Sequence, residues 1–69
     1  MNRRYRVRWW TGPTRVDDYV VRVNAIPGFT DVIGGTEHVY FTLDARDEYY
    51  ARMQVEDAIG KSFCRVEAL

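Results

Sequence analysis

The two side chains best suited to act as a nucleophile and its base occur once each in this chain, as Cys64 and His38. A catalytic pair would need the thiol within hydrogen-bonding reach of the imidazole. The predicted strand order places the two residues on strands separated by a third, with their side chains on opposite faces. The sequence therefore predicts no nucleophilic pair, and we interpret Cys64 as a small buried apolar residue.

Acidic side chains occur in three adjacent pairs: Asp17 and Asp18, Asp47 and Glu48, and Glu56 and Asp57. Adjacent residues on a helix point about 100° apart, so such pairs rarely converge on one proton or metal ion. His38 has no carboxylate at a spacing typical of a metal site. Gly34-Gly35 lacks the lysine and the following helix of a phosphate loop. We therefore expect no enzymatic activity, no bound metal and no cofactor.

Arginines at positions 4, 6 and 8 alternate with aromatic or branched residues in the segment RRYRVRWW, residues 3–10. This period of two predicts a half-buried strand. One side of the strand carries Tyr5, Val7 and Trp9, and the other carries Arg4, Arg6, Arg8 and Trp10.

The segment TRVDDYVVRVNAI, residues 14–26, fits either a helix or a strand. Its four valines favour a strand on propensity. Its apolar residues nevertheless recur at helical spacing, at Val16, Tyr19, Val20, Val23 and Ile26. We predict a helix because this apolar stripe is nearly continuous. The alternative, a strand, would give a curved and mostly β sheet with one helix.

Two further strands are predicted after Pro27-Gly28, and a tight turn at Gly34-Gly35 joins them. The first is short, FTDVI at 29–33. The second is TEHVYFTL at 36–43, which also alternates. Its inward set is Val39, Phe41 and Leu43, and its outward set is His38, Tyr40 and Thr42.

Asp44 is predicted to cap a helix over 45–59, with Asp47 as a weak capping-box partner and Gly60 after the last turn. The expected core stripe of this helix is Ala51, Val55, Ala58 and Ile59, with Tyr49 and Met53 covering its flank. The last strand, SFCRVEAL at 62–69, directs Cys64, Val66 and Ala68 inward, and Phe63, Arg65 and Glu67 outward.

The element order β-α-β-β-α-β predicts a single small α+β domain over residues 1–69 with the ferredoxin-like plan. We expect a four-stranded antiparallel sheet in the order 4-1-3-2, with both helices on one face. The first and third strands are then the central pair. The second strand is an exposed edge that has little protection beyond Asp31.

The succession of Ile26-Pro27-Gly28, short strand, glycine turn, strand and acidic helix resembles small ferredoxin-like modules, which include heavy-metal-associated domains. Those metal-binding domains carry a paired-cysteine loop after the first strand. The corresponding loop here reads Trp10-Thr11-Gly12-Pro13-Thr14 and contains no cysteine. The resemblance therefore extends to topology and does not imply metal binding.

The composition predicts a folded cytoplasmic domain. Hydrophobic residues make up 46% of the chain and aromatic residues 14%, which supplies large side chains for a small core. A single cysteine permits no intramolecular disulfide, which favours a reducing compartment. The segment MNRRYRVRWW lacks the apolar run of a signal peptide, and no stretch is long enough to span a membrane.

The zero net charge conceals an asymmetry between the two parts of the chain. Residues 1–23 hold six arginines against two aspartates, whereas residues 24–69 hold four basic and eight acidic side chains. Zero net charge argues against a general polyanion-binding protein. The asymmetry allows electrostatic self-complementarity, so a homodimer through the sheet face or an edge strand is one expected assembly.

The outward residues of three strands are predicted to form a binding face: Arg4, Arg6, Arg8, Trp10, His38, Tyr40, Phe63 and Arg65. Arginine, tryptophan and tyrosine are the residues enriched at the energetic centres of protein interfaces. We therefore predict a non-catalytic protein that binds another protein. A chain of this size without recognisable chemistry suits an accessory or inhibitor protein, such as those of phages and mobile elements.

Two alternatives remain open for this face. It resembles the sheet of RNA-recognition modules, in which bases stack on rings and cations contact phosphates, so single-stranded nucleic acid is a second possible partner. The third strand lacks the glycine and paired aromatics of that family's signature. The other alternative is a face without a ligand, because the uncovered side of an antiparallel sheet is polar by default.

Overall fold

The structure is a computed structural model that describes residues 1–60 and 64–69. Its helices and strands follow one another in the predicted β-α-β-β-α-β order. They are β1 (Arg3–Trp10), α1 (Val16–Asn24), β2 (Thr30–Gly34), β3 (His38–Ala45), α2 (Glu48–Ile59) and β4 (Cys64–Ala68).

The four strands form one antiparallel sheet in the order β2-β3-β1-β4. β1 pairs with β3 along its whole length, from Arg3 opposite Ala45 to Trp10 opposite His38. β4 pairs with the other side of β1, with Val66 opposite Val7. The predicted ferredoxin-like topology, with β1 and β3 as the central pair, is therefore confirmed.

The core lies between the sheet and the two helices. The predicted inward sets of β1 and β3 are all buried: Tyr5, Val7, Trp9, Val39, Phe41 and Leu43. β4 adds Val66, and α2 adds Ala51, Val55 and Ile59. The alternation read from the sequence thus assigns the two central strands to the correct faces, because side chains on a strand point to opposite sides in turn.

α1 shows that the ambiguous segment is a helix. Val16 and Val23 are buried against the sheet, and the ring of Tyr19 packs on Trp9 with centroids 4.5 Å apart. Valine has a lower helix propensity than the best helix formers by at most about 0.7 kcal/mol, whereas burying its side chain contributes about 1.5–3 kcal/mol. Packing of the apolar stripe therefore outweighs the strand preference of the individual residues.

α2 begins later than the sequence predicted, and the predicted cap is wrong. Asp44 does not cap the helix, because β3 still pairs with β1 at this position, where Asp44 lies opposite Arg4. The N-cap is Asp47, whose carboxylate accepts a hydrogen bond from the backbone N–H of Tyr50 at 3.0 Å. The chain thus stays extended to Ala45 before it turns into the helix.

Two side chains of α2 that were expected to cover the flank of the core are exposed. Tyr49 is 67% exposed and Met53 is 41% exposed. They precede the buried residues Ala51 and Val55 by two positions each, which is about 200° around a helix. They therefore point to solvent rather than to the sheet.

β2 is an irregular edge strand. Asp31 has a φ of 52°, in the left-handed region, and the pairing of β2 with β3 shifts register between Thr30 and Ile33. A bulge of this kind bends an edge strand and interrupts the regular row of backbone groups that another chain could pair with. The β2 edge is therefore better protected than the sequence indicated.

Gly34 at the end of β2 allows α1 to approach the sheet closely. A Cβ atom at this position would lie 2.9 Å from Cγ1 of Val16 and 3.0 Å from Cγ2 of Val20. The absence of a side chain at Gly34 is thus part of the packing between α1 and β2.

Candidate functional site

The face of the sheet that points away from the helices, called the open face below, is built mainly from the outward side chains of β1 and β3. Its described members are Arg4, Arg6, Arg8, Trp10, Ile33, His38, Tyr40, Thr42, Arg65 and Glu67. Thr42 is buried, and the other members are exposed or half-buried. Seven of the eight residues predicted for a binding face are therefore brought together, and Phe63 lies outside the described residues.

Cross-strand pairing arranges the open face in rows. Read from β3 through β1 to β4, the rows are His38 and Trp10; Tyr40, Arg8 and Arg65; and Thr42, Arg6 and Glu67. Arg8 thus faces a second arginine, Arg65, which is an unfavourable arrangement for cross-strand neighbours, whereas Arg6 faces the acidic Glu67. Tyr40 lies beside Arg8 near the middle of the face.

Arg4 differs from the other arginines because its guanidinium is held by acceptors of the protein itself. Its Nη2 atom lies 2.9 Å from a carboxylate oxygen of Asp31 and 3.1 Å from the hydroxyl oxygens of both Thr30 and Thr42. Its Nη1 atom lies 3.8 Å from the carboxylate of Asp44. Arg4 therefore joins the bulge of β2 to the two central strands.

The bulge residue Asp31 is held in its charged form by this arrangement. The pKa of its carboxyl lies below the ordinary value, first because Arg4 donates a hydrogen bond to it and then because the Thr42 hydroxyl does so. The positive charge of Arg6 acts in the same direction from a greater distance. Arg4 and Asp31 thus neutralise each other, and Arg4 has a structural part in the fold.

Arg6 and Arg8 have no acidic partner in the described part of the chain. No carboxylate of residues 1–60 and 64–69 lies within 4.0 Å of either guanidinium. Glu67, opposite Arg6, instead lies 4.0 Å from the guanidinium of Arg65 on its own strand. The centre of the open face therefore carries two positive charges that the fold leaves available.

Two adjoining depressions lie over these arginines and share Arg6 and Tyr40 as walls. The larger has a volume of about 520 Å³ and extends over Thr42 to the exposed Ile33 and Leu69. The smaller has a volume of about 200 Å³ and extends past Arg8 toward β4. Together they form a shallow groove with a cationic floor and apolar side chains at one end.

Six residues that line the groove were not included in the sequence-based prediction of a binding face: Asp31, Ile33, Phe41, Thr42, Glu67 and Leu69. The bulge at Asp31 breaks the alternation of β2, so the position of Ile33 could not be read from a period of two. Leu69 extends the last ladder, with its N–H donating to the carbonyl of Arg4 at 3.0 Å. The only sequence signal for Ile33 and Leu69 was an apolar residue within a short edge strand and another directly after the chain segment that forms β4.

His38 and Cys64 lie on opposite sides of the sheet, as the sequence predicted. His38 is opposite Trp10 on the open face, whereas Cys64 is opposite the buried Trp9 on the helix side. Burial raises the pKa of the Cys64 thiol to about 11, so the group is protonated and weakly nucleophilic at neutral pH. The two side chains form no nucleophile–base pair.

The described part of the chain contains no group of three or more His, Cys, Asp or Glu side chains that could hold a metal ion. Within the same residues, no helix has the length and apolar character needed to cross a membrane. Comparisons of the chain with protein-family models, with curated proteins and with solved structures gave no match.

Proposed function

We propose that this chain is a non-catalytic interaction protein that binds another protein through the open face of its sheet. The observation that carries this proposal is the pair of arginines, Arg6 and Arg8, that lie beside Tyr40 in a groove without an acidic partner among the described residues. Guanidinium groups that the fold leaves without a carboxylate are suited to pair with carboxylates of another molecule.

Exposed apolar side chains on the open face support a protein as the ligand. Ile33 is 61% exposed and Trp10 is 46% exposed, although each could contribute considerable area to a core. Protein interfaces combine such apolar anchors with arginine and tyrosine near their centre. The chemistry fits a partner surface in which acidic side chains alternate with an apolar one.

The small size of the domain suits an accessory or inhibitor role, in which the bound surface itself is the function. A reducing compartment such as the cytoplasm fits the single half-buried Cys64, whose thiol is kept protonated. Both assignments are part of this proposal.

Single-stranded nucleic acid is the second candidate, and the specific observation in its favour is the pair of partly exposed rings on the same face. Trp10 and Tyr40 lie near Arg6 and Arg8, so bases could stack on the rings while the guanidinium groups contact phosphates. Against it, Asp31, Asp44 and Glu67 also lie on or beside this face. With a net charge of zero, the chain has no general attraction for a phosphate backbone, so we favour protein.

The test is affinity capture from nuclease-treated lysate with matched arginine variants. The double variant Arg6→Gln/Arg8→Gln removes the two groove charges, and Arg15→Gln/Arg22→Gln removes two exposed charges beside or on α1. The proposal predicts that wild type and the α1 variant retain the same protein, whereas the groove variant loses it. Equal retention by the two variants would contradict the assignment to the open face.

The two candidate ligands are separated by nuclease and by salt. A protein partner should be retained after nuclease treatment, with a modest response to salt. A nucleic acid should be lost after nuclease treatment, and its affinity should fall with salt by roughly one power per phosphate contact. Loss of all retained material on nuclease treatment would select the second candidate.

A further inference from the structure

The two edges of the sheet differ in how well they could pair with another strand. The β2 edge is interrupted by the bulge at Asp31. The β4 edge, Cys64–Ala68, pairs with β1 in an uninterrupted antiparallel register and contains no proline. Regular edge strands without bulges or prolines are the ones that accept an additional strand.

The backbone groups on the outer side of β4 can be identified from its pairing with β1. The N–H of Leu69 donates to the carbonyl of Arg4, directly across the ladder. Since backbone groups alternate in direction along a strand, those of Arg65 and Glu67 also point toward β1. The N–H and C=O groups of Cys64, Val66 and Ala68 therefore point outward, away from the sheet.

We propose that the β4 edge pairs with the β4 edge of a second copy of this chain. The two strands are antiparallel and related by a two-fold axis at Val66, so Cys64 of each copy lies opposite Ala68 of the other. Each of these residue pairs exchanges two backbone hydrogen bonds, because all three residues present both groups outward. The result is a continuous sheet with the two open faces on the same side.

The charges on β4 select this register. On the open face, pairing around Val66 places Arg65 of each copy directly opposite Glu67 of the other, which gives two favourable cross-strand pairs. Because outward-pointing backbone groups recur every second residue, the partner strand could also be shifted by two residues in either direction. One shift would place Arg65 opposite Arg65 of the second copy, and the other would place Glu67 opposite Glu67. Repulsion between like charges disfavours both shifts.

The environment of Arg65 within one chain supports the same arrangement. Arg65 lies directly opposite Arg8 on β1, and its own acidic neighbour, Glu67, is at a distance of 4.0 Å on the same strand. In the dimer, Glu67 of the second copy supplies a carboxylate on the side of Arg65 away from Arg8. A two-fold interface is self-complementary in this way, because Arg65 of each copy meets Glu67 of the other copy.

The test is the oligomeric state of charge-reversal variants, measured by sedimentation equilibrium across a wide concentration range up to the solubility limit. Wild type is expected to show a monomer–dimer equilibrium. Arg65→Glu and Glu67→Arg alone should each weaken dimerisation by roughly tenfold or more, because each replaces two favourable pairs with two repulsive ones. A mixture of the two variants should dimerise again, since opposite charges then meet at both positions.

A backbone variant tests the same interface without a change of charge. Ala68→Pro removes an outward N–H and leaves the bonds to β1 intact, so it should reduce dimerisation while circular dichroism shows an unchanged fold. The proposal is overturned if wild type stays monomeric throughout, if the single variants dimerise like wild type, or if their mixture stays monomeric.

Discussion

Replacing Arg4 with glutamine is expected to destabilise the fold, whereas the same replacement at Arg6 should leave stability nearly unchanged. Arg4 donates to Thr30, Asp31 and Thr42 and so fixes the bulge of β2. Arg6 has no carboxylate within 4.0 Å in the described chain. The comparison therefore separates an arginine that the fold uses from one that makes no ion pair among the described residues.

The magnitude follows from the contacts and the exposure of Arg4. A hydrogen bond that involves a charged group contributes about 1.5–3 kcal/mol when shielded, and an exposed ion pair about 0–1 kcal/mol. The side chain of Arg4 is 46% exposed. We therefore expect a loss of about 1 kcal/mol for Arg4→Gln, which lowers Tm by about 4–8 °C in a domain of this size.

The assay is thermal unfolding at neutral pH and low salt, followed by circular dichroism. Arg6→Gln should change the free energy of unfolding by no more than about 0.5 kcal/mol, as is usual for surface substitutions. Equal Tm values for the two variants, or a lower Tm for Arg6→Gln, would refute the division of the arginines into structural and available ones.

Three further predictions concern the fold around the open face. The folded-state pKa of Asp31 is below its unfolded value, so the charged carboxylate stabilises the fold at neutral pH, and this stabilisation is lost as the pH falls below the ordinary pKa of 3.8. The Tm difference between wild type and Asp31→Asn should therefore shrink in acid. A pH-independent difference would contradict the Arg4 pairing. Gly34→Ala should lower the free energy of unfolding, measured in urea, by about 1–3 kcal/mol, because the new methyl group would lie 2.9 Å from Cγ1 of Val16. An unchanged urea midpoint would show that α1 can move away from β2. Asp47→Ala should lower the free energy of unfolding by about 1 kcal/mol, because the N-cap of α2 is lost. An unchanged stability would indicate that Asp44 caps the helix instead.

The sequence predicted most of the fold because alternation and spacing determine which face each strand buries. The period of two in β1 and β3 identified the central pair and, with it, the row that places Tyr40 beside Arg8. The apolar stripe of α1 favoured a helix because its residues meet one surface. These features depend on local pattern, which a single sequence contains.

The features that the sequence did not predict depend on contacts between distant residues. The start of α2 is set by the pairing of Asp44 with β1, so the helix could not be placed from capping preferences alone. The bulge at Asp31 exists together with its bond to Arg4, and neither residue predicts the other from its own neighbours. For the same reason, alternation treated Arg4, Arg6 and Arg8 as equivalent.

Photo-crosslinking at two tyrosines tests the proposed binding face most directly. Tyr40 lies in the groove of the open face, and Tyr49 is 67% exposed on α2, on the opposite side of the molecule. Each is replaced in turn by p-benzoylphenylalanine, and the chain is irradiated in nuclease-treated lysate. Binding through the open face predicts a discrete protein adduct from position 40 and none of the same mass from position 49. An adduct from position 49 alone would contradict it.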